Sequence, residues 1–133
     1  MRVVLDTNVL ISAIFFSGTP ARILEAWGEG RFELLASSDI LAEYWRVVLR
    51  LMQRFPSVDA YPVLDAVIRG CHLIEPVSVP SDACSDPDDL KFLGCAAAGR
   101  AACIISGDRA LLRSSGFEGI EVLTPRAFLR RHP

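Results

Sequence analysis

The chain has 133 residues, of which 51% are hydrophobic and 23% charged, and its formal net charge is −2. This length fits one domain covering residues 1–133, and the composition excludes an intrinsically disordered chain. The charge balance argues against a broadly basic nucleic-acid-binding protein. None of the 4 cysteines forms a C-x-x-C pair, so we expect reduced core residues. Because the sequence shows neither an apolar leader nor an apolar run of roughly 20 residues, we expect a cytoplasmic protein without a membrane segment.

Apolar periodicity and turn residues predict strands and helices that alternate along the chain. Strands are predicted at residues 3–5, 32–36, 72–74, 103–106 and 120–123, and helices at 9–16, 20–27, 38–53, 61–70, 86–98, 109–113 and 125–131. Thr19 and Thr124 each precede a proline and are predicted as N-caps, while Gly99 is predicted to end the helix before the fourth strand. This alternation predicts an α/β fold with a central, mostly parallel sheet and helices on both faces.

Acidic side chains follow the predicted strands. Asp6 comes directly after the first strand, and Asp108 lies just past the fourth. Asp86, Asp88 and Asp89 open the helix that leads into the fourth strand. In open α/β sheets, ligands bind beyond the carboxyl ends of the strands, so these side chains are candidates for a binding site. Each aspartate is also typical of a helix cap or a first helical turn, and position alone does not separate the two roles.

Glu43 differs from these aspartates because it lies inside a predicted helix, at the margin of the apolar face beside Val47. Its ordinary explanation is an exposed ion pair with Arg46, three residues further on, and the other explanation is a metal ligand beside a cleft. Several carboxylates that converge on one cleft repel one another unless a divalent cation or protonation offsets the repulsion. Ligand sets made only of oxygen suit Mg²⁺ or Mn²⁺ rather than zinc.

Four segments of the chain together resemble the motifs of PIN-domain ribonucleases, and most closely the VapC-like toxins of toxin–antitoxin pairs. These segments read VVLDTNVL at residues 3–10, LAEY at 41–44, DPDDLKFL at 86–93 and IISGDRALL at 104–112. The resemblance covers nearly the whole chain, in the order of the family's motifs. It implies a three-layer α/β/α sandwich with a sheet of about five strands and an acidic active-site pocket.

The resemblance also implies roles for individual residues. The implied catalytic metal ligands are Asp6, Glu43, Asp89 and Asp108. The implied supporting residues are Asn8, Ser106 and Asp86. Asp88 adds a further carboxylate beside Asp89, and its contact with a metal stays open. The guanidinium fork suits phosphate oxygens, so the expected substrate contacts are Arg46 and Arg50, on the same helix as Glu43.

The function expected from these residues is that of a metal-dependent endoribonuclease. An Mg²⁺ or Mn²⁺ ion activates water for in-line attack on phosphorus, and either Glu43 or Asp108 accepts the proton. The resemblance further implies an RNA substrate, a cognate antitoxin protein that blocks the pocket, and a homodimer. The alternative is a module of the same fold that binds RNA or a protein without cleaving it.

Overall fold

One parallel sheet of five strands organises the computed structural model, which describes residues 1–133. The strands are β1 (Arg2–Leu5), β2 (Glu33–Ala36), β3 (His72–Leu73), β4 (Cys103–Ile105) and β5 (Glu121–Leu123). They lie side by side in the order β3-β2-β1-β4-β5. In the central strand, Val4 pairs with Leu35 on one side and with Ile104 on the other. The predicted fold class is therefore confirmed, and every strand pair is parallel.

Helices cover both faces of this sheet. They are α1 (Thr7–Phe15), α2 (Thr19–Gly28), α3 (Ser38–Arg54), α4 (Tyr61–Gly70), α5 (Leu90–Gly99), α6 (Arg109–Arg113) and α7 (Pro125–Arg131), with 3₁₀ turns at Pro87–Asp89 and Phe117–Gly119. The chain moves from β1 through β2 to β3 in one direction, and then through β4 to β5 in the other. Because crossovers between parallel strands are right-handed, the helices of these two halves lie on opposite faces. This arrangement is the predicted α/β/α sandwich.

The centre of the sheet forms the core of the protein. Residues 3–5 and 104–105 are fully buried, as expected for central parallel strands that read as continuous apolar runs. Helix α3 packs its apolar face inward, and fully buried Tyr44 donates a hydrogen bond from its hydroxyl group to the carbonyl oxygen of Leu5. This bond ties α3 to the carboxyl end of β1. It therefore fixes the position of Glu43, the residue before Tyr44.

Two predicted helix caps lie one residue from the observed ones. Thr19 is the first helical residue of α2, and its N-cap is Gly18, at φ 116°. Gly99 is the last residue of α5, as predicted, but Arg100 is the C-cap and adopts the left-handed conformation, at φ 54°. A Cβ atom on Gly99 would lie 2.6 Å from Cδ1 of Leu35. This glycine is therefore needed for the close approach of α5 to β2 and not for a positive φ.

The predicted N-cap at Thr124 is confirmed. The Thr124 hydroxyl group caps α7 by accepting a hydrogen bond from the amide of Ala127 at 3.1 Å. All the cysteines are free thiols; Cys84, Cys95 and Cys103 are buried in the core as predicted, whereas Cys71 is only partly buried. No single helix has both the length and the apolar character needed to cross a membrane, and α1 with α2 reach them only as a pair bent by 95°.

Candidate metal centre

The carboxyl ends of β1 and β4 meet at one edge of the sheet and carry the central part of the acidic site. The two strands are neighbours, and the amide of Asp6 donates to the carbonyl oxygen of Ile105 at 2.9 Å. Ser106 and Asp108 follow β4 directly, so the topology places them beside Asp6. The sequence predicted this meeting of the two strand ends.

Ser106 connects the two aspartates of this edge. Its buried hydroxyl group donates to Oδ2 of Asp6 at 2.6 Å and accepts a hydrogen bond from the amide of Asp108 at 2.9 Å. The amide of Ser106 in turn donates to the carbonyl oxygen of Leu123 in β5 at 2.9 Å. Ser106 thus holds Asp6 and the turn after β4 in a fixed relation, which is the supporting role that the resemblance implied.

Two of the site aspartates do cap helices. Oδ1 of Asp86 accepts from the amide of Asp88 at 3.0 Å, and Oδ1 of Asp108 accepts from the amide of Ala110 at 3.2 Å. Each bond uses one carboxylate oxygen and orients the other. Capping and ligation are therefore not alternatives here, because one side chain can do both. Asp88 is exposed, and its carboxylate lies outside the acidic cluster described next.

Three carboxylates, which we call the acidic cluster, converge at this edge: Asp86, Asp89 and Asp108. One oxygen atom from each lies within 4.8 Å of the other two. Asp89 is buried, and its Oδ2 atom has no hydrogen-bond partner. A buried carboxylate oxygen without a donor is costly, so this atom is the strongest indication that the cluster receives a cation. The donors are all oxygen atoms, and the residues fit a hard divalent ion such as Mg²⁺ or Mn²⁺.

The electrostatics of the site agree with this interpretation. Burial, a side-chain hydrogen bond with Asp108 and the charges of Asp108, Asp6 and Asp86 raise the pKa of Asp89 to about 8. The pKa of Asp6 is also raised, first by burial and then by the charge of Asp108, although the Ser106 hydrogen bond opposes the shift. Without a cation, the edge therefore favours the protonated forms of Asp6 and Asp89.

Glu43 lies beside the acidic cluster in a different environment. Its Oε1 atom is 2.7 Å from Nζ of Lys91, and its Oε2 atom accepts a hydrogen bond from the Thr7 hydroxyl group. Burial raises the pKa of Glu43, but the bonds from Lys91 and Thr7 and the charge of Arg46 outweigh it and lower the pKa overall. The structure thus places Glu43 at the predicted edge, but as the partner of a lysine and outside the three-carboxylate cluster.

The remaining predicted site residues lie at the rim. The side chain of Asn8 is exposed in the first turn of α1, and its backbone amide helps to lower the pKa of Asp6. The guanidinium group of Arg46 is exposed, 3.9 Å from Glu43. Arg50 is also exposed, one turn further along α3. The sequence interpretation did not include Lys91 among the site residues. The one signal for it was that Lys91 is the only lysine of the chain.

Comparison with known proteins agrees with the site and the fold. No curated protein matches this chain. The family model described as the PIN domain matches residues 2–110, which include every residue of the acidic cluster together with Asp6 and Glu43. PIN domains are generally metal-dependent nucleases, and an acidic cluster able to hold a metal is present. The chain belongs to the PIN domain family.

Proposed function

We propose that this protein is an endoribonuclease that hydrolyses phosphodiester bonds with Mg²⁺ or Mn²⁺ held at the carboxyl edge of its sheet. One observation carries the proposal: the buried Oδ2 atom of Asp89 has no partner in the chain and lies among converging carboxylates.

The residues of the acidic cluster would hold the ion. A bound divalent ion would activate a water molecule and offset negative charge on the scissile phosphate. Ser106 keeps Asp6 in place behind the cluster through its 2.6 Å hydrogen bond. Asp6 and Glu43 are carboxylates near the cluster; in the metal-free chain burial raises the pKa of Asp6, whereas the contacts with Lys91 and Thr7 lower that of Glu43.

The arginines support a polyanionic substrate. Arg46 stands at the rim of the acidic edge, beside Glu43. A second cationic feature is a cleft of about 380 Å³ between α2 and α7, lined by Arg22, Arg126 and Arg130. None of these three arginines forms an ion pair within the chain. Because α7 begins directly after β5, Arg126 lies near the same edge of the sheet as the metal site. We assign the cleft to phosphates of RNA flanking the cleaved bond.

We extend the proposal to the biological role, namely the toxin of a toxin–antitoxin pair that acts in the cytoplasm as a homodimer. The four sequence motifs that resemble VapC-like toxins support this step. Its test is a short open reading frame directly upstream whose product binds the protein and stops RNA cleavage. Size-exclusion chromatography with light scattering tests the dimer, and a monomer at micromolar concentration would contradict it.

The enzymatic proposal is tested with full-length protein and labelled single-stranded RNAs in Mn²⁺, in Mg²⁺ and in EDTA. Asp89→Asn removes the central carboxylate, and Asp88→Asn is the matched control because Asp88 is exposed and outside the acidic cluster. We expect metal-dependent cleavage by the wild type and the control. Losing several kcal/mol of charge stabilisation should slow Asp89→Asn by about a hundredfold or more.

The same assay separates the rival functions. RNA that binds to the wild type in every metal without being cleaved would support the non-catalytic module. Equal cleavage by the Asp89→Asn and Asp88→Asn variants would refute the proposed site, because a co-purifying ribonuclease contaminates both preparations alike.

A further inference from the structure

We propose that the ammonium group of Lys91 occupies the second cation position of this site, so that the chain binds one divalent ion and not two. The inference rests on the proposed metal-dependent nuclease function and deepens it. Two-ion sites hold their metals about 3.5–4 Å apart and use both to offset charge on the transferred phosphate. In this protein the ammonium group of Lys91 supplies one of those two positive charges.

The carboxylates at this edge form two groups, which differ in whether their oxygen atoms have hydrogen-bond donors. In the acidic cluster, Oδ2 of buried Asp89 has no partner. At Glu43, in contrast, both oxygen atoms have donors, namely Lys91 on one side and Thr7 on the other. A cation entering the edge thus finds an unsatisfied oxygen in the first group and a satisfied carboxylate in the second.

Lys91 is held where it is by the fold. It lies in the first turn of α5, two residues after Asp89, and its side chain is only 24% exposed. Its ammonium group contacts Glu43, on α3, at 2.7 Å and lies 5.8 Å from the centre of the Phe92 ring. Breaking an ion pair that is largely shielded from water is costly, because it leaves the other charge without a partner. The fold therefore fixes Lys91 at the site, and Lys91 is not a mobile surface charge.

Electrostatics then oppose a second divalent ion. Such an ion would need the oxygens of Glu43 and would have to displace Lys91 or bind beside it. Two positive charges at so short a separation repel each other, and a divalent ion doubles the repulsion that a monovalent ion would meet. The fixed ammonium group thus excludes the second metal. It also offers its own charge to the phosphate oxygens of a bound substrate.

The experiment measures Mn²⁺ stoichiometry by isothermal titration calorimetry and by electron paramagnetic resonance of free Mn²⁺, without RNA. We expect one equivalent for the wild type, two for Lys91→Met, and one again for Lys91→Met/Glu43→Gln, which lacks the freed carboxylate. Lys91→Arg keeps the charge and should bind one equivalent. Arg46→Gln, the matched control, removes the exposed cation 3.9 Å from Glu43 and should also bind one.

Each possible result is decisive. Two equivalents of similar affinity in the wild type would overturn the inference and leave the nuclease proposal intact. One equivalent in a Lys91→Met protein that is folded by circular dichroism would overturn it as well. A wild type that binds no Mn²⁺ would overturn both this inference and the proposed function, and RNA cleavage in EDTA would then identify a metal-independent activity.

Discussion

Replacement of Asp89 by asparagine is expected to change how the stability of the metal-free protein depends on pH. The pKa of this carboxyl group is about 8 in the folded chain, against an ordinary value of 3.8. Between these two pH values the folded protein keeps a proton that the unfolded chain has released. Rising pH therefore favours the unfolded state, and stability present below about pH 4 is lost progressively as the pH approaches 8.

The magnitude follows from this difference in bound protons. One proton corresponds to a slope of at most about 1.4 kcal/mol per pH unit, so the ceiling between pH 5.5 and 7.5 is about 2.7 kcal/mol. Asparagine does not titrate, and its variant lacks this slope. The unpartnered asparagine amide costs roughly 1–3 kcal/mol, but that cost does not vary with pH. The pH dependence, not the absolute stability, is therefore the quantity that reports on Asp89.

Urea unfolding followed by circular dichroism in EDTA, at pH 5.5, 6.5 and 7.5, measures this slope. We expect the wild type to lose about 1–2 kcal/mol more than Asp89→Asn across this range, and Asp88→Asn to behave as the wild type does. Mn²⁺ at about 100 times its dissociation constant should add about 2.7 kcal/mol to the wild type and much less to Asp89→Asn. Parallel pH profiles for the wild type and Asp89→Asn would refute the reasoning.

Three further predictions concern the frame of the site and its substrate. Ser106→Ala should lower the free energy of unfolding by about 1–3 kcal/mol in urea, because a buried carboxylate loses its donor, while Ser106→Thr keeps the hydroxyl group and most of the stability. Gly94→Ala should lower the free energy of unfolding by about 1–3 kcal/mol, since its Cβ would lie 2.6 Å from a backbone carbonyl oxygen. In the control Gly28→Ala, the added Cβ meets nothing within 4 Å, so this variant should be as stable as the wild type or slightly more stable. Equal melting temperatures for the two variants would contradict this prediction. Arg126→Gln should weaken RNA binding in fluorescence anisotropy and reduce the salt-dependence slope by about 0.7, and Arg69→Gln, on α4, should do neither.

Much of the fold could be predicted from sequence because its signals are local. Buried parallel strands consist of short apolar runs, and the intervening helices show apolar stripes between turn residues. The edge that carries the site was also predictable, since Asp6 and Asp108 follow strands that end at the same side of a parallel sheet. These inferences need only the order of residues along the chain.

The parts that sequence did not predict depend on contacts between distant segments. Gly99 looks like a helix terminator, but its function is close packing against β2. The pairing of Lys91 with Glu43 joins α5 to α3, and no local pattern indicates it. The sequence resemblance predicts Glu43 as a metal ligand along with the aspartates, and the structure adds Lys91 as its partner. Helix capping and ligation also look like competing explanations in the sequence. In the structure one carboxylate oxygen of Asp86 caps the 3₁₀ turn and one of Asp108 caps α6, while both residues belong to the acidic cluster.

The net charge of −2 is misleading as a guide to RNA binding, because the negative charge is concentrated in one place. Five of the 16 acidic residues lie at the carboxyl edge, where four aspartates and Glu43 surround the candidate metal site. Apart from these five and Lys91, the rest of the chain has thirteen arginines and eleven acidic residues. The surface outside the site is therefore slightly positive. A divalent ion and Lys91 together offset three of the five negative charges within it, so a phosphate backbone meets less repulsion when the metal is bound. RNA affinity should accordingly depend on the metal, and Mn²⁺ should strengthen binding of an uncleavable RNA to the wild type.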